Sequence, residues 1–178
     1  MTETKTAPGT AAAPTAWERF EALYRSSRDD VFAYVTTLLG DRATAEDVTA
    51  LAFERAYRRR LTFDRRRGGE RAWLFGIARN AALDELRRRK RIGTLTGDPP
   101  DSAAAALDDG AEIALRRTAV NEALAALPAR EREIIALKFH AGLANGEIAR
   151  LLGVSPTAAG TLLFRTMEKL RKACDASL

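Results

Sequence analysis

The 178 residues suffice for one ordinary domain or two small helical lobes, and are too few for a large catalytic scaffold around a buried pocket. Hydrophobic residues at 46% and charged residues at 30% fit a folded soluble chain, and 29 Lys and Arg against 24 Asp and Glu leave a net charge of +5. A single cysteine, Cys174, and a single histidine, His140, exclude an internal disulfide and argue against zinc clusters and Ser-His-Asp hydrolysis, so the chain is expected to be no enzyme and to hold no metal or cofactor.

In chain order, residues 1–15 are rich in Ala, Thr and Pro without apolar periodicity and are expected to form a disordered tail. Trp17, Phe20, Leu23 and Tyr24, then Val31, Phe32, Val35, Leu38 and Leu39, recur at helical spacing and predict two amphipathic helices with a break around Ser26 to Asp29. Gly40-Asp41 closes that unit. Thr44 followed by Asp47 has the spacing of a capping box and predicts a third helix to about Arg58. Thr62 to Gly69 predicts a basic loop, and a long helix follows from Glu70 to about Arg91. Between Glu54 and Arg91 the chain holds 14 basic and 5 acidic residues, a local charge of +9 that attracts phosphate.

Residues 92–112 contain Gly97, Pro99, Pro100, four consecutive alanines and four aspartates, and predict a flexible acidic linker. A second lobe is expected over 113–173, followed by a tail over 174–178. Its first helix stops at Pro128 and its second runs from Ala129 to His140. The strongest local pattern is Glu147 to Pro156: a short helix, a turn at Gly153, Ser155 as N-cap and Pro156 at the first position of a further helix. That is the helix-turn-helix layout, in which the second helix enters the major groove. The fold class is all-α, two small helical domains. Neither a membrane span nor a signal peptide is legible, which predicts a cytoplasmic protein without membrane contact.

Leu127-Pro128-Ala129-Arg130-Glu131-Arg132-Glu133 with Glu147-Ile148-Ala149 and Leu152-Gly153-Val154 resembles the −35-reading domain of bacterial sigma factors. Leu39-Gly40-Asp41, Ala45-Glu46-Asp47 and the phrase Arg71 to Asn80, with Asp84 and Arg87, resembles their −10-reading domain. Two such domains in this order, without other sigma regions, are similar to the extracytoplasmic-function group of the sigma-70 family.

The resemblance implies a factor that binds core RNA polymerase, with Asp47, Leu51, Glu54 and Arg55 on the helix facing the β′ clamp and the second lobe on the β flap. It implies that the basic loop and long helix engage a melted −10 element, through Arg65, Arg66, Arg67, Trp73, Asn80, Arg87 and Arg88. The −35 element would meet Ser155, Thr157, Thr161 and Arg165. An anti-sigma partner is a further implied possibility. On the residues alone, Trp73 is either a core aromatic or a base-stacking platform, and the run from Arg87 to Arg91 either a solvated helix end or a phosphate contact.

Two departures stand out. Gly160 and Leu162 occupy positions where the family usually has Lys and Arg, which predicts a −35 readout that is weak or altered in preference. Ala50-Leu51 replaces a usual polar pair. A stand-alone helix-turn-helix regulator would account for the second lobe but not the first, and lacks a heptad seam for dimerisation. A partner-binding module without promoter activity is a third reading, supported by Gly160 and Leu162.

Overall fold

The computed structural model describes residues 13–96 and 111–176, and every regular element among them is helical. Helix α1 spans Ala16–Leu39, α2 Arg42–Arg59 and α3 Glu70–Thr96, with 3-10 turns at Arg60–Thr62 and Arg65–Arg67 between α2 and α3. In the second lobe, α4 spans Ala111–Ala126, α5 Ala129–Phe139, α6 Asn145–Leu152 and α7 Pro156–Ala176.

The expected break in the first helical unit is absent: α1 is one continuous helix. Ser26 turns its hydroxyl back onto the Leu23 carbonyl at 3.2 Å, and buried Ser27 accepts from Arg71 Nη1 at 3.2 Å, so the polar stretch is satisfied without leaving the helix. Thr15, assigned to the tail by sequence, is the N-cap of α1, paired reciprocally with Glu18. The remaining tail, residues 1–12, lies outside the described residues, as does most of the expected linker, 97–110. The outer parts of that linker are helical instead, because α3 continues to Thr96 and α4 begins at Ala111.

Gly40 ends α1 in the left-handed region at φ 70°, where a glycine carries no Cβ penalty. The cap of α2 is Asp41 rather than Thr44. Its carboxylate accepts from the backbone N–H of Ala43 and Thr44 and from the Thr44 hydroxyl, and these bonds pull its pKa below the ordinary carboxylate range. Arg89 of α3 reaches back to the same carboxylate at 3.0 Å, to Leu39 O at 3.2 Å and to Glu85 at 3.1 Å, tying α3 across the α1–α2 corner. The predicted C-terminal tail starts too early, since α7 runs to Ala176 and includes a half-buried Cys174.

Val31, Tyr34, Val35, Ala52, Phe53, Leu74, Phe75 and Ala78 fill the first lobe, while Ile134, Leu137, Ile148, Ala149 and Ala159 fill the second. These are not two separate cores. They form one continuous apolar cluster, because α5 and α6 lie against α1 and α3. At roughly 2 kcal/mol for each large side chain fully removed from water, that shared packing holds the lobes together as much as it fills them.

Candidate nucleic-acid interface

Helix α3 presents two faces. Its inner face carries Leu74, Phe75, Ala78 and Ala81, all buried. Its outer face begins at Trp73 and reaches Asn80 two turns later, exposed to solvent. Trp73 is neither wholly core nor wholly free: it is half-buried, its ring 5.3 Å from Phe63 at a 52° tilt. Phe63 belongs to the basic loop, so this aromatic pair anchors the loop to α3.

The loop adopts two 3-10 turns rather than irregular backbone. Asp64 caps the second, accepting from Arg66 N at 2.9 Å, and Arg65 lies 3.7 Å from Glu70. Arg65 and Arg66 are exposed, and Arg67 sits in the same turn. Gly68 closes the turn at φ 140°, a conformation L side chains rarely adopt. The loop, Trp73 and Ala72 line a cleft of about 450 Å³.

The opposite wall of that cleft comes from the other lobe: Glu147, Arg150 and Leu151 of α6 complete it. Leu151 is so close to α3 that a Cβ placed on Gly76 would meet it at 3.2 Å. Around the same seam, Arg79 donates to buried Glu133 at 2.6 Å, and Tyr34 shares that carboxylate at 3.5 Å. Burial, first, and then the neighbouring carboxylate hold the Tyr34 phenol protonated far above its usual range. Arg71 bonds to Asp30 at 2.6 Å, Ala141 O at 2.5 Å and His140 O at 3.0 Å, joining α1, α3 and the α5–α6 turn. Thr37 lies 3.3 Å from His140 Nε2. Burial lowers the His140 pKa, against the opposing pull of Asp30.

The remaining first-lobe candidates divide by environment. Arg87 and Arg88 are exposed on α3, where they pair with Asp84 at 3.1 Å and Glu85 at 2.7 Å. Asp47, Leu51 and Glu54 form an outward stripe on α2 at four- and three-residue spacing, with Leu51 36% exposed. Arg55 leaves the stripe and turns to Asp84 of α3 at 3.4 Å.

In the second lobe Gly153, at φ 66°, turns the chain between α6 and α7, and small Ala149 is buried beneath the crossing. Ser155 caps α7, its hydroxyl accepting from Ala158 N at 3.1 Å, so this candidate is occupied as a helix cap. Thr157, Thr161 and Arg165 are exposed along α7, while Ala159 and Thr166 face inward. The structure therefore gathers Arg65, Arg66, Trp73 and Asn80 on one lobe and Thr157, Thr161 and Arg165 on the other. Sequence reasoning did not find the seam residues Arg71, Arg79 and Glu133, whose partners lie 54 to 70 positions away in the chain. It also passed over Phe164, which stands 69% exposed on α7.

Comparison with known proteins agrees with this geometry. The family model for sigma-70 region 2 matches residues 23–92, and that for sigma-70 region 4 matches residues 117–170. The chain is 33% identical over 165 residues to the extracytoplasmic-function (ECF) RNA polymerase sigma factor SigL of Mycobacterium tuberculosis, covering 92% of each. It is also 33% identical over 158 residues to the ECF RNA polymerase sigma factor BldN of Streptomyces coelicolor, where it covers 87% of this chain and spans only 60% of that relative's length. Among solved structures, RpoE bound to the anti-sigma factor NepR from Bartonella quintana aligns with a TM-score of 0.75 at 20% identity, over 88% of this chain and 97% of that one. CnrH in complex with the cytosolic domain of CnrY aligns at 0.63 with 24% identity over 88% of both. These two likenesses concern the fold.

Proposed function

The chain belongs to the extracytoplasmic-function sigma factors of the sigma-70 family, RNA polymerase sigma factors that direct transcription initiation, and from that premise we propose a division of labour between its two lobes. The first lobe, residues 16–91, recognises and helps to melt the −10 element. The second, residues 113–173, reads the −35 element and rests on the β flap. Asp47, Leu51 and Glu54 face the β′ clamp, since they form the outward stripe of α2. Polymerase performs the chemistry, so the chain needs no catalytic residue of its own. A polymerase partner also implies a cytoplasmic location; no helix among the described residues is long and apolar enough to cross a membrane.

The observation that carries the −10 assignment is the cleft in which Arg60, Phe63 and Arg65 meet Trp73. Melted DNA exposes bases, and a half-buried aromatic beside cations offers a stacking surface and a track for phosphates. Arg65, Arg66 and Arg67 follow the strand, Asn80 meets a base edge, and Arg87 and Arg88 extend the basic surface by exchanging acidic neighbours for phosphate.

In the docked arrangement α6 walls the adjoining cleft, lined by Asp64, Gly68 and Trp73, so a strand passing Trp73 meets the second lobe. The two promoter elements lie about 25 base pairs, or about 85 Å, apart at 3.4 Å per base pair. A compact chain of this length has a radius of gyration of only about 16 Å. Reading both elements at once requires the seam to open. Fourteen residues, 97–110, join the helices on either side, and a chain of that length reaches about 50 Å. We infer that core polymerase supplies the opening by binding each lobe separately. An anti-sigma partner would do the reverse, holding the closed form. The solved neighbours bound to NepR and to CnrY motivate that reading here.

The test is run-off transcription from a library of promoter fragments by bacterial core polymerase, with and without the chain. Specific transcripts that require the chain are expected. Tight core binding with no transcript would overturn the promoter-reading assignment.

A further inference from the structure

Another cavity lies along the seam between the lobes and shares no lining residue with the clefts beside Trp73. It holds about 340 Å³. Its apolar lining comes from both lobes: Leu38 of α1, Leu83 and Leu86 of α3, and Leu152 of α6, all half-buried. Its polar lining is the start of α5, with Arg130, Arg132 and Glu133, joined by Arg79 of α3.

The charges in this cavity do not balance. Arg79 is engaged by Glu133 at 2.6 Å, and elsewhere around the seam Arg71 is matched to Asp30 and Arg89 to Asp41. Arg130 and Arg132 differ: among the described residues no carboxylate or other acceptor meets either guanidinium. Arg130 is exposed, but Arg132 is half-buried. A guanidinium drawn partly out of water with no anion beside it loses hydration without a return. Both arginines also stand in the first turn of α5, the end at which a helix dipole disfavours cations. Their placement works against the stability of the free chain and suits an anion that the chain does not supply.

An occupant has to satisfy both linings, the guanidinium groups and the leucines. A nucleic-acid phosphate would satisfy only the first. The volume lies at the lower end of the range for small-ligand sites, which favours a small molecule over a segment of a partner protein. A carboxylate suits the polar end, because its two oxygens accept from a guanidinium fork in parallel.

We propose that the seam cavity binds a small amphiphilic carboxylate, of the chemical class of medium-chain fatty acids. The head lies between Arg130 and Arg132, and the chain runs along Leu83, Leu86 and Leu152. Because both lobes form the walls, the ligand fits only the docked arrangement. At ten times its dissociation constant it multiplies the ratio of docked to open chain about elevenfold, and core polymerase has to overcome that factor. This consequence rests on the opening inferred above, whereas the site itself does not.

The experiment titrates octanoate into the full chain carrying 13C-labelled leucine methyls and reads contacts between the two by NMR. Leu83 or Leu86 from the first lobe and Leu152 from the second should touch the ligand in one complex. Hexanoate should bind about tenfold more weakly, the factor for two methylenes withdrawn from the apolar lining. Octanol has the chain without the charge and acetate the charge without the chain, so neither should bind where octanoate saturates. Arg130→Gln and Arg132→Gln should each weaken octanoate roughly tenfold or more, the factor for one charge-assisted hydrogen bond. Exposed Arg171→Gln, on α7 and outside the cavity, should leave it unchanged. Absence of saturable octanoate binding would overturn the proposal, as would contacts confined to one lobe or an affinity that survives the loss of both arginines. Octanol binding as tightly as octanoate would overturn it too, and would make the cavity a purely apolar docking site. Saturating octanoate that leaves the affinity for core polymerase unchanged would refute the opening step while the site stands.

Discussion

The two reading surfaces are built from opposite materials. The first-lobe surface is dense in arginine, organised by Asp64, Glu70, Phe63 and Trp73, and bordered beside Trp73 by α6. The second-lobe surface is nearly uncharged, small and apolar, and faces solvent. A melted strand exposes phosphates and base faces without regard to sequence, and cations with aromatics suit it. Duplex DNA presents base edges in its grooves between the phosphates, and a face on which Arg165 is the first cation meets them with little charge.

The largest effect should come from the first surface. Trp73→Ala should reduce run-off transcription roughly ten- to a hundredfold, the range equivalent to losing one base–aromatic stack. Trp73→Tyr should recover most of it, because the ring is what matters. Loss in both variants alike would make Trp73 a packing residue.

The seam between the surfaces is the next place to break the contrast. Arg79→Ala strands the Glu133 carboxylate in a buried site, which costs about 3 kcal/mol and shifts docking about a hundredfold toward the open form. Small-angle scattering of the free chain should show the radius of gyration rising above its compact value of about 16 Å. Arg79→Leu combined with Glu133→Leu should restore compaction. An unchanged radius in Arg79→Ala would show that apolar packing alone holds the lobes.

Salt dependence sharpens the comparison further. With holoenzyme on promoter DNA, Arg65→Ala and Arg66→Ala should each flatten the slope of log affinity against log salt by about 0.7, the share of one single-strand phosphate contact. Thr161→Ala should weaken binding with the slope unchanged. Equal slope changes from both surfaces would remove the distinction.

The smallest effect concerns pH. Burial holds the docked His140 below its ordinary value of 6.5, so the docked form binds fewer protons than the open one. Its full stability is present above that value and declines as pH falls below it. The opening transition should therefore become easier toward acid pH, and His140→Gln should remove that part of the dependence. Docking that tightens as pH falls would reverse the assignment.

Much of this was legible in the chain because local rules settle it. Gly153, Ser155 and Pro156 punctuate the helix-turn-helix within four positions, and Gly40 ends α1 as a left-handed cap. Local rules also misled. Ser26 to Asp29 reads as a break, yet tertiary bonds from Arg71 absorb its polarity, and Asp41 outcompetes Thr44 as cap because it sits one step ahead of the first helical residue. The seam was illegible for a different reason: Arg79 and Glu133 are unremarkable charged residues in helical runs, and nothing periodic links positions 54 apart. Phe164 was missed because its spacing suits a core position, and only its exposure separates it from Leu163.

The central claim is that the chain is closed when free and open on polymerase. Energy transfer between a dye on Cys174 and one on a cysteine introduced at exposed Arg25 measures this directly. The free chain should give a separation within about 40 Å, the span of a compact chain of this size. Addition of core polymerase and promoter should move the pair beyond about 70 Å, as two elements about 85 Å apart demand. A distance that stays short in a transcribing complex would contradict the account.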